Sequence, residues 1–440
     1  RAIYRLEEPR IMSYRCYALM LAGALTAACG ASGPADTPEI KATTDADTVG
    51  FLLFGDSGYH LSYPDQDDYD DLFTPEAFEK SEWDDWIEDK RPEDEYESRP
   101  ADLSPVTGKT VPATGMHRIS TAMKNYCANV ARCDFGAMLG DNIYPSGLTM
   151  GADGFDDNLR LKDVLGDPFG NIVPDPDYYT TYVTLGNHDW ETSREGGFAQ
   201  IEYLENSDGF YMDGPYYAVK PVAGKGDIEL FVIDTSMMLA YLPVKEDYLN
   251  DDGSEALTGE LEEPDYFVGP MTEDELNMHV WLEKSLREST ARWKFVVAHH
   301  PIWSSSGSKF EQARALRELI LPAMCRYADA YIVGHDHTLE IHTDDCSRAL
   351  GKATQEPLVQ LVSGAAAKQR PIHTSFMKHQ DAKYPEHKTL HAEGLLWGFM
   401  HMKIGSDSAH VTVLSIPDEG GSDVTVDFEY EFDRRSHRSP

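Results

Sequence analysis

The sequence predicts an α/β fold, because short apolar runs typical of strands alternate with stretches of helical periodicity along much of the chain. Several of the apolar runs end in polar residues that can bind metals. In open α/β sheets, binding sites lie at the carboxyl ends of the strands. The 440 residues, 41% of them apolar, are enough for one large α/β domain or two smaller ones.

The composition is strongly acidic, with 38 basic residues against 76 acidic ones and a formal net charge of -38. Such a surface argues against binding to nucleic acids or to an anionic membrane. It would also repel a phosphorylated substrate at long range, so a substrate of this kind requires a local positive field.

Residues 1–29 are predicted to comprise upstream sequence followed by an export signal. Arg15 supplies a positive charge, residues 18–28 form an apolar core too short to span a membrane, and small residues precede Cys29. The pattern is similar to a bacterial lipoprotein signal, so a lipid anchor on Cys29 and simple secretion both stay open. We therefore expect an exported protein that is periplasmic, secreted or anchored at the cell envelope, with a linker over 30–48.

The first strand is predicted over residues 49–54 and is followed by an acidic insertion over 61–112. Residues 61–102 carry 17 Asp and Glu against 4 Lys and Arg, which predicts a solvated segment. Interleaved aromatic residues indicate that part of it docks onto the domain, near the tip of the first strand. A helix over 116–130, with Ile119, Met123 and Tyr126 on its apolar face, and a strand over 135–139 follow.

The rest of the chain continues the alternation of strands and helices. A helix is predicted to begin after Thr272, where Glu275 completes a capping box, and its apolar positions are Leu276, Val280, Leu282 and Leu286. The predicted helices cover 272–289 and 311–327, and the predicted strands cover 183–185, 228–233, 295–298, 330–333, 357–362, 399–404, 409–414 and 424–432. We assign the catalytic domain to 49–416 and a C-terminal strand with a loose tail to 417–440.

Four cysteines remain once Cys16 and Cys29 are set aside. In an exported chain, Cys127 with Cys133 and Cys325 with Cys346 are plausible disulfides by proximity, although the sequence does not fix the connectivity.

Residues with oxygen or nitrogen donors stand at the ends of the predicted strands. They are Asp56, Asp141, Tyr144, Asn187, His188, His299, His335 and His337. A donor set without thiolates suits Fe, Zn or Mn. Both oxygens of Asp141 are available to bridge two ions about 3.5–4 Å apart. A short motif of this kind, taken alone, more often marks a simple turn than a binding site. Five such motifs in order, each after an apolar run, are not explained by turns.

The five motifs are GDSG (55–58), GDNIY (140–144), GNHD (186–189), VAHHP (297–301) and GHDH (334–337). Their order resembles the calcineurin-like metallophosphoesterases. Because Tyr144 follows Asp141 by three residues, the chain looks most like the purple acid phosphatases of the small, tartrate-resistant type. The resemblance runs over most of 49–416. It implies a β-sandwich of two mixed sheets flanked by helices, in four αββα layers.

The resemblance also implies roles for individual residues. Fe(III) would be held by Asp56, Tyr144 and His337, with Asp141 as the bridge. A divalent ion (Fe, Zn or Mn) would be held by Asn187, His299 and His335. His188 would be the catalytic acid, and Asn187, His188, His300 and Ser308 would face the substrate. Ser308 departs from the family pattern, which has a second histidine at this position in the mammalian-type enzymes.

The implied function is an exported acid phosphatase that hydrolyses small phosphate monoesters. A hydroxide held by the metals would attack phosphorus directly, and His188 would protonate the leaving group. The two ions and their anionic ligands leave a formal charge of about +1, which attracts phosphate at short range. Two alternatives stay open: a phosphodiesterase or nucleotidase of the same fold, and a non-enzymatic metal-containing binding protein. The oligomeric state is not predicted.

Overall fold

The structure is a computed structural model that describes residues 48–63, 74–151, 156–174, 178–225, 227–418 and 420–436. The predicted export signal with Cys29, and the linker apart from Thr48, lie outside these residues.

Eighteen strands occur in the described part of the chain. They are β1 (Val49–Phe54), β2 (Ala101–Leu103), β3 (Thr110–Pro112), β4 (Phe135–Leu139), β5 (Thr181–Thr184), β6 (Phe210–Tyr211), β7 (Tyr217–Val219), β8 (Ile228–Val232), β9 (Lys245–Leu249), β10 (Glu255–Leu261), β11 (Trp293–Val297), β12 (Ala330–Val333), β13 (Leu339–Asp344), β14 (Leu358–Ser363), β15 (His387–Glu393), β16 (Trp397–Ile404), β17 (Ser408–Ile416) and β18 (Thr425–Asp433).

The helices alternate with these strands. They are α1 (Pro75–Glu88), α2 (Met116–Asn129), α3 (Asp157–Leu161), α4 (Asp167–Phe169), α5 (Asn187–Trp190), α6 (Arg194–Glu205), α7 (Thr235–Leu239), α8 (Glu273–Leu276), α9 (Met278–Glu288), α10 (Phe310–Tyr327), α11 (Ser347–Leu350) and α12 (Thr374–Lys383). Two 3-10 turns cover Glu93–Glu95 and Val222–Gly224, and a π-helical turn covers Lys162–Gly166.

Two seven-stranded mixed sheets form the centre of the fold. The first has the order β18-β17-β16-β1-β4-β5-β6, and the second has the order β15-β13-β14-β12-β11-β8-β7. The inner strands are parallel to their neighbours. In the first sheet these are β1, β4 and β5, and in the second they are β8, β11, β12 and β14. Phe51 on β1 meets Phe295 on β11 with ring centroids 5.9 Å apart, so the two sheets pack face to face. The predicted α/β sandwich is confirmed.

Helices cover the outer faces of the sandwich. On α2 the predicted apolar face, Ile119, Met123 and Tyr126, is buried, and Tyr126 packs edge-on against Phe399 of β16. On the second sheet, α9 buries Leu282 and Leu286. Every residue of β4 and β11 is buried, as expected for strands covered on both faces.

The helix predicted over 272–289 is divided into α8 and α9 at Asn277. The capping box of Thr272 and Glu275 is present, but the Glu275 carboxylate also binds the Arg194 guanidinium at 2.8 Å. This buried ion pair turns the Glu275 side of α8 inward. Leu276 and Val280, which the periodicity placed in the core, are therefore 43% and 54% exposed.

The described part of the acidic insertion is ordered against the sandwich. Its helix α1 buries Phe78 and Trp86, and the Trp86 indole donates a hydrogen bond to the Pro92 carbonyl. The buried Arg91 guanidinium donates to the backbone carbonyls of Ser306 and Pro371 at 2.9 and 3.1 Å. Arg91 thus ties the insertion to two loops of the second sheet, which agrees with the docking that its aromatic residues indicated.

The C-terminal segment is part of the first sheet. Strand β18 pairs antiparallel with β17, and Arg435 beyond it is fully buried. The Arg435 guanidinium donates to the carbonyls of Met324, Cys325 and Ala328, at the C-terminal end of α10. A cation is favourable there because the last carbonyls of a helix carry partial negative charge. The strand predicted over 424–432 is therefore present as β18, whereas Arg435, in the segment expected to be a loose tail, is buried and bonded.

Both predicted disulfides, Cys127–Cys133 and Cys325–Cys346, are formed. Among the described residues, no helix combines the length and the apolar character needed to cross a bilayer.

Arg435→Ala tests the anchoring of the C-terminal strand. It removes charged donors from three buried carbonyls, so we expect the free energy of unfolding in urea to fall by about 2–4 kcal/mol. Arg434→Ala is the matched control, because that side chain makes a partly exposed ion pair with Asp407 at 3.6 Å and should lose less than about 1 kcal/mol. Equal losses in the two variants would contradict the anchoring role.

Candidate metal centre

The predicted site residues meet at one edge of the sandwich, because they follow the carboxyl ends of the inner parallel strands. Asp56 follows β1, Asp141 follows β4, Asn187 lies just beyond β5, His299 follows β11, and His335 and His337 follow β12. The face-to-face packing of the two sheets brings the tips of β1 and β4 next to those of β11 and β12.

Three of these residues have left-handed backbone conformations. The φ angles are 55° at Asp56, 50° at Asp141 and 70° at His335, a region that residues other than glycine adopt uncommonly. Hydrogen bonds hold the turns in place: the Asp56 amide donates to the Gly140 carbonyl at 3.0 Å, and the His335 amide donates to Asp56 Oδ2 at 2.8 Å. A Cβ at Gly140 would lie 2.6 Å from His299 Nδ1, so only glycine fits there.

A first group of donors surrounds Tyr144, which is 1% exposed. Its hydroxyl oxygen lies 2.9 Å from Asp141 Oδ2, 3.1 Å from Asp56 Oδ1 and 3.2 Å from His337 Nε2. One donor atom from each of Asp56, Asp141 and His337 lies within 4.8 Å of the others.

A second group of donors is formed by histidines. Ring nitrogens of His299, His300 and His335 lie within 4.8 Å of one another, and His299 Nε2 is 3.2 Å from His335 Nδ1. His299 Nε2 also lies 3.3 Å from Asp141 Oδ1. His300 stands among these rings rather than apart from them, and its Nδ1 is 2.8 Å from the Thr235 hydroxyl.

The two oxygens of Asp141 therefore face different groups. Oδ2 lies beside Tyr144 in the first group, and Oδ1 lies beside His299 in the second. Oδ1 also accepts a hydrogen bond from the His188 amide at 3.0 Å. This is the geometry that a carboxylate bridging two ions requires.

Burial and neighbouring charges shift the pKa values in the two groups. Burial raises the pKa of Asp56 to about 8, against the opposing effect of His299. For Asp141, the nearby His299 and His188 outweigh burial and hold the pKa well below its usual range. Burial lowers the pKa of His335 and of His337 well below the usual range, so both imidazoles are neutral and offer a lone pair.

The donor set fits a pair of metal ions. Carboxylate, phenol and neutral imidazole groups converge without a thiolate, as hard or borderline cations prefer. In the described part of the chain, Asn187 Oδ1 is buried without a hydrogen-bond partner. An unpartnered buried amide oxygen is unfavourable unless a ligand completes it.

His188 is held by its Nδ1. This atom lies 2.5 Å from the Pro145 carbonyl oxygen and 2.7 Å from Glu191 Oε2. Both oxygens are acceptors, so Nδ1 carries a hydrogen and Nε2 is the position that exchanges a proton. Although burial opposes it, Asp141 and Glu191 raise the pKa of His188.

Asp189, the last residue of the GNHD motif, binds backbone amides of two loops. Its carboxylate accepts from the backbone amides of Asn142, Ile143 and Gly186 at 2.8–3.1 Å. It thereby ties the loop carrying Asp141 to the loop carrying Asn187. The partner of His188 is Glu191, which sequence reasoning missed. His188 and Glu191 are three residues apart, and residues at this spacing are neighbours on a helix. A helix predicted at α5 would therefore have indicated the pair.

Ser308 does not contact the two groups directly. Its hydroxyl lies 3.2 Å from that of Ser306, which donates to Asp336 Oδ1 at 2.9 Å. Arg370 also binds Asp336, at 2.8 Å.

Lys368 is a second residue that sequence reasoning missed. Its ammonium nitrogen lies 4.4 Å from the centroid of the Tyr144 ring and 5.4 Å from that of Tyr59. No motif marks the position, which follows the LVSGA stretch (361–365) by three residues.

Comparison with known proteins agrees with this geometry. Residues 115–339, just over half of the chain, match the calcineurin-like phosphoesterase family. The chain belongs to this family. The matched residues include four of the five motifs, and GDSG lies before them.

The chain is similar to purple acid phosphatases of Arabidopsis thaliana. It is 30% identical to purple acid phosphatase 4 over 256 residues, 57% of this chain and 63% of that protein. It is 29% identical to purple acid phosphatase 17 over 237 residues, 53% of this chain and 59% of that protein. The chain thus spans about three fifths of the length of these relatives.

Among solved structures, the fold is similar to that of GAP50, the anchor in the inner membrane complex of Plasmodium. The TM-score is 0.52 at 14% identity, and the alignment covers 88% of this chain and 90% of that one. At this identity the likeness concerns the fold alone.

Proposed function

We propose that the protein is a binuclear-metal acid phosphatase that hydrolyses small phosphate monoesters. The observation that carries the proposal is the position of the Asp141 carboxylate, whose two oxygens face two separate groups of donors. The family match and the similarity to purple acid phosphatases support the same reaction class.

The two groups of donors divide the ligands between two ions. Asp56, Tyr144 and His337 would hold one ion, Asn187, His299 and His335 would hold the other, and Asp141 would bridge them. His300 takes part as a substrate contact, because the Thr235 hydroxyl occupies its Nδ1 and leaves Nε2 to face the site. Ser308 is an outer contact in this proposal, since its hydroxyl bonds to Ser306, which in turn bonds to Asp336.

The phenol of Tyr144 favours Fe(III) at the first position, with Fe, Zn or Mn as the divalent ion at the second. The support is the resemblance to purple acid phosphatases, in which this tyrosine colours the ferric site. A visible absorption band distinguishes this assignment from a pair of zinc ions, which would leave the protein colourless.

Bound metal ions would polarise the phosphoryl group and supply hydroxide by lowering the pKa of a water molecule. Residues of the chain would position the loops and supply the proton. The Asp189 carboxylate keeps the loops of Asp141 and Asn187 at a fixed separation. His188, whose Nδ1–H is fixed by the Pro145 carbonyl with the Glu191 carboxylate 2.7 Å away, donates its Nε2 proton to the departing alkoxide.

Two competing functions are less well supported. A non-enzymatic binding protein would not need His188, yet this side chain is held with a proton-carrying Nδ1 beside Asp141. A phosphodiesterase or nucleotidase uses the same fold, and the activity ratio on mono- and bis-(p-nitrophenyl) phosphate separates it from a monoesterase.

We also propose that the protein is exported. The two disulfides suit an oxidising compartment, and they add to the export signal predicted up to Cys29. Detection of the protein in the cytoplasmic fraction alone would exclude export.

Asp141→Asn tests the metal centre and the activity together. An amide has only one oxygen and no negative charge, so we expect both ions to be lost and phosphatase activity to fall more than roughly 100-fold. Metal content by mass spectrometry and hydrolysis of p-nitrophenyl phosphate are the measurements. Asp213→Asn, at an exposed position, is the control and should change neither. A variant that keeps both metals and full activity would refute the bridging role of Asp141.

Glu191→Gln tests the acid role of His188. Without the carboxylate, the protonated imidazole loses a stabilising partner, so we expect turnover of a simple alkyl phosphate to fall about tenfold or more. Turnover of p-nitrophenyl phosphate, whose leaving group needs no proton, should change less than about threefold. His188→Ala should show the same pattern with larger losses.

Glu195→Gln, an exposed substitution four residues away, should leave turnover of both esters unchanged. If Glu191→Gln slows both esters equally, His188 is not the general acid.

A further inference from the structure

Lys368 carries a positive charge to the edge of the candidate metal centre. Its ammonium nitrogen lies over the ring of Tyr144, 4.4 Å from the centroid, and the hydroxyl of the same ring contacts Asp56 and Asp141. The His188 ring also packs against Tyr144, tilted by 47° with ring centroids 4.5 Å apart. Lys368 and His188, the proposed general acid, therefore both lie against the Tyr144 ring.

The neighbouring cations are neutralised by carboxylates, but Lys368 is not. Arg370 pairs with Asp336, Arg91 pairs with Asp89, and Arg99 pairs with Glu82. Within the described ranges, Lys368 forms no ion pair or hydrogen bond, and its ammonium group lies over the rings of Tyr144 and Tyr59. This is unexpected in a chain with a net charge of -38, in which carboxylates are abundant.

Packing alone does not account for this arrangement. The rings of Tyr59 and Tyr144 explain where the lysine side chain rests. They leave its three N–H donors without an acceptor, which is unfavourable for a half-buried charge unless an anion completes the site. A phosphoryl group held at the adjacent donors would be such an anion.

We propose that Lys368 binds a non-bridging oxygen of the substrate phosphate and thereby selects monoesters over diesters. The inference rests on the proposed phosphatase function and adds a specificity residue to it. Lysine binds phosphate as a point charge, so its attraction grows with the charge of the ligand. A phosphate monoester carries about two negative charges near neutral pH, whereas a diester carries one.

Lys368→Gln tests the proposal by removing the charge while keeping a polar side chain of similar length. We expect kcat/KM for p-nitrophenyl phosphate to fall about tenfold, mainly through KM. The value for bis-(p-nitrophenyl) phosphate should change less than about threefold, and metal content should be unchanged. The Kd of inorganic phosphate for the metal-loaded protein, measured by calorimetry, should rise about tenfold.

Two further variants control the experiment. Lys368→Arg keeps the charge and should recover much of the selectivity for the monoester. Lys378→Gln removes an exposed lysine on α12 and should behave as the unsubstituted protein.

Each other outcome is decisive. Equal losses on the two esters overturn the selectivity, and an unchanged Kd for phosphate overturns the contact. Loss of metal in Lys368→Gln would show that the residue supports the ion cluster instead of the substrate. If the metal-loaded protein hydrolyses neither ester, the proposed phosphatase function fails. The Kd of phosphate then still decides whether Lys368 binds the anion.

Discussion

The site depends on one constraint: the Asp141 carboxylate is fixed between two groups of donors to which both sheets contribute. Tyr144 lies beside one oxygen and His299, from the opposite sheet, lies beside the other. Burial makes such a concentration of carboxylates and imidazoles unfavourable unless cations compensate their charge. The face-to-face packing of the sheets therefore matters for chemistry as well as stability, because it sets the distance between the groups.

The loops at this edge are held by contacts among themselves. Asp56 and Asp141 adopt strained left-handed conformations, of the kind that cost about 1–3 kcal/mol each and persist only where neighbours fix them. Asp189 supplies much of this support by accepting three backbone amides from two loops. The acidic insertion adds to it from outside, since Arg91 binds the carbonyl of Ser306, whose hydroxyl contacts Asp336.

The sequence predicted the strands that carry the site, because each is a mainly apolar run followed by a short polar motif. It also predicted which residues converge, from Asp56 to His337. It did not predict Glu191 or Lys368, since their roles come from side chains that approach in space. Likewise, the periodicity of 272–289 misplaced Leu276 because the buried Glu275–Arg194 pair outweighs the apolar pattern. The burial of Arg435 was not predicted either, because the C-terminal segment is polar. Its guanidinium is buried where it donates to three carbonyls at the end of α10.

The bridging role of Asp141 is tested by X-ray diffraction from crystals of the metal-loaded protein, with anomalous scattering measured at the iron edge and at the edge of the divalent metal. We expect two peaks about 3.5–4 Å apart, one on each side of the Asp141 carboxylate. The iron peak should lie within bonding distance of the Tyr144 hydroxyl oxygen, and the other should lie beside His299 and His335. A single peak, or metals bound away from Asp141, would contradict this role.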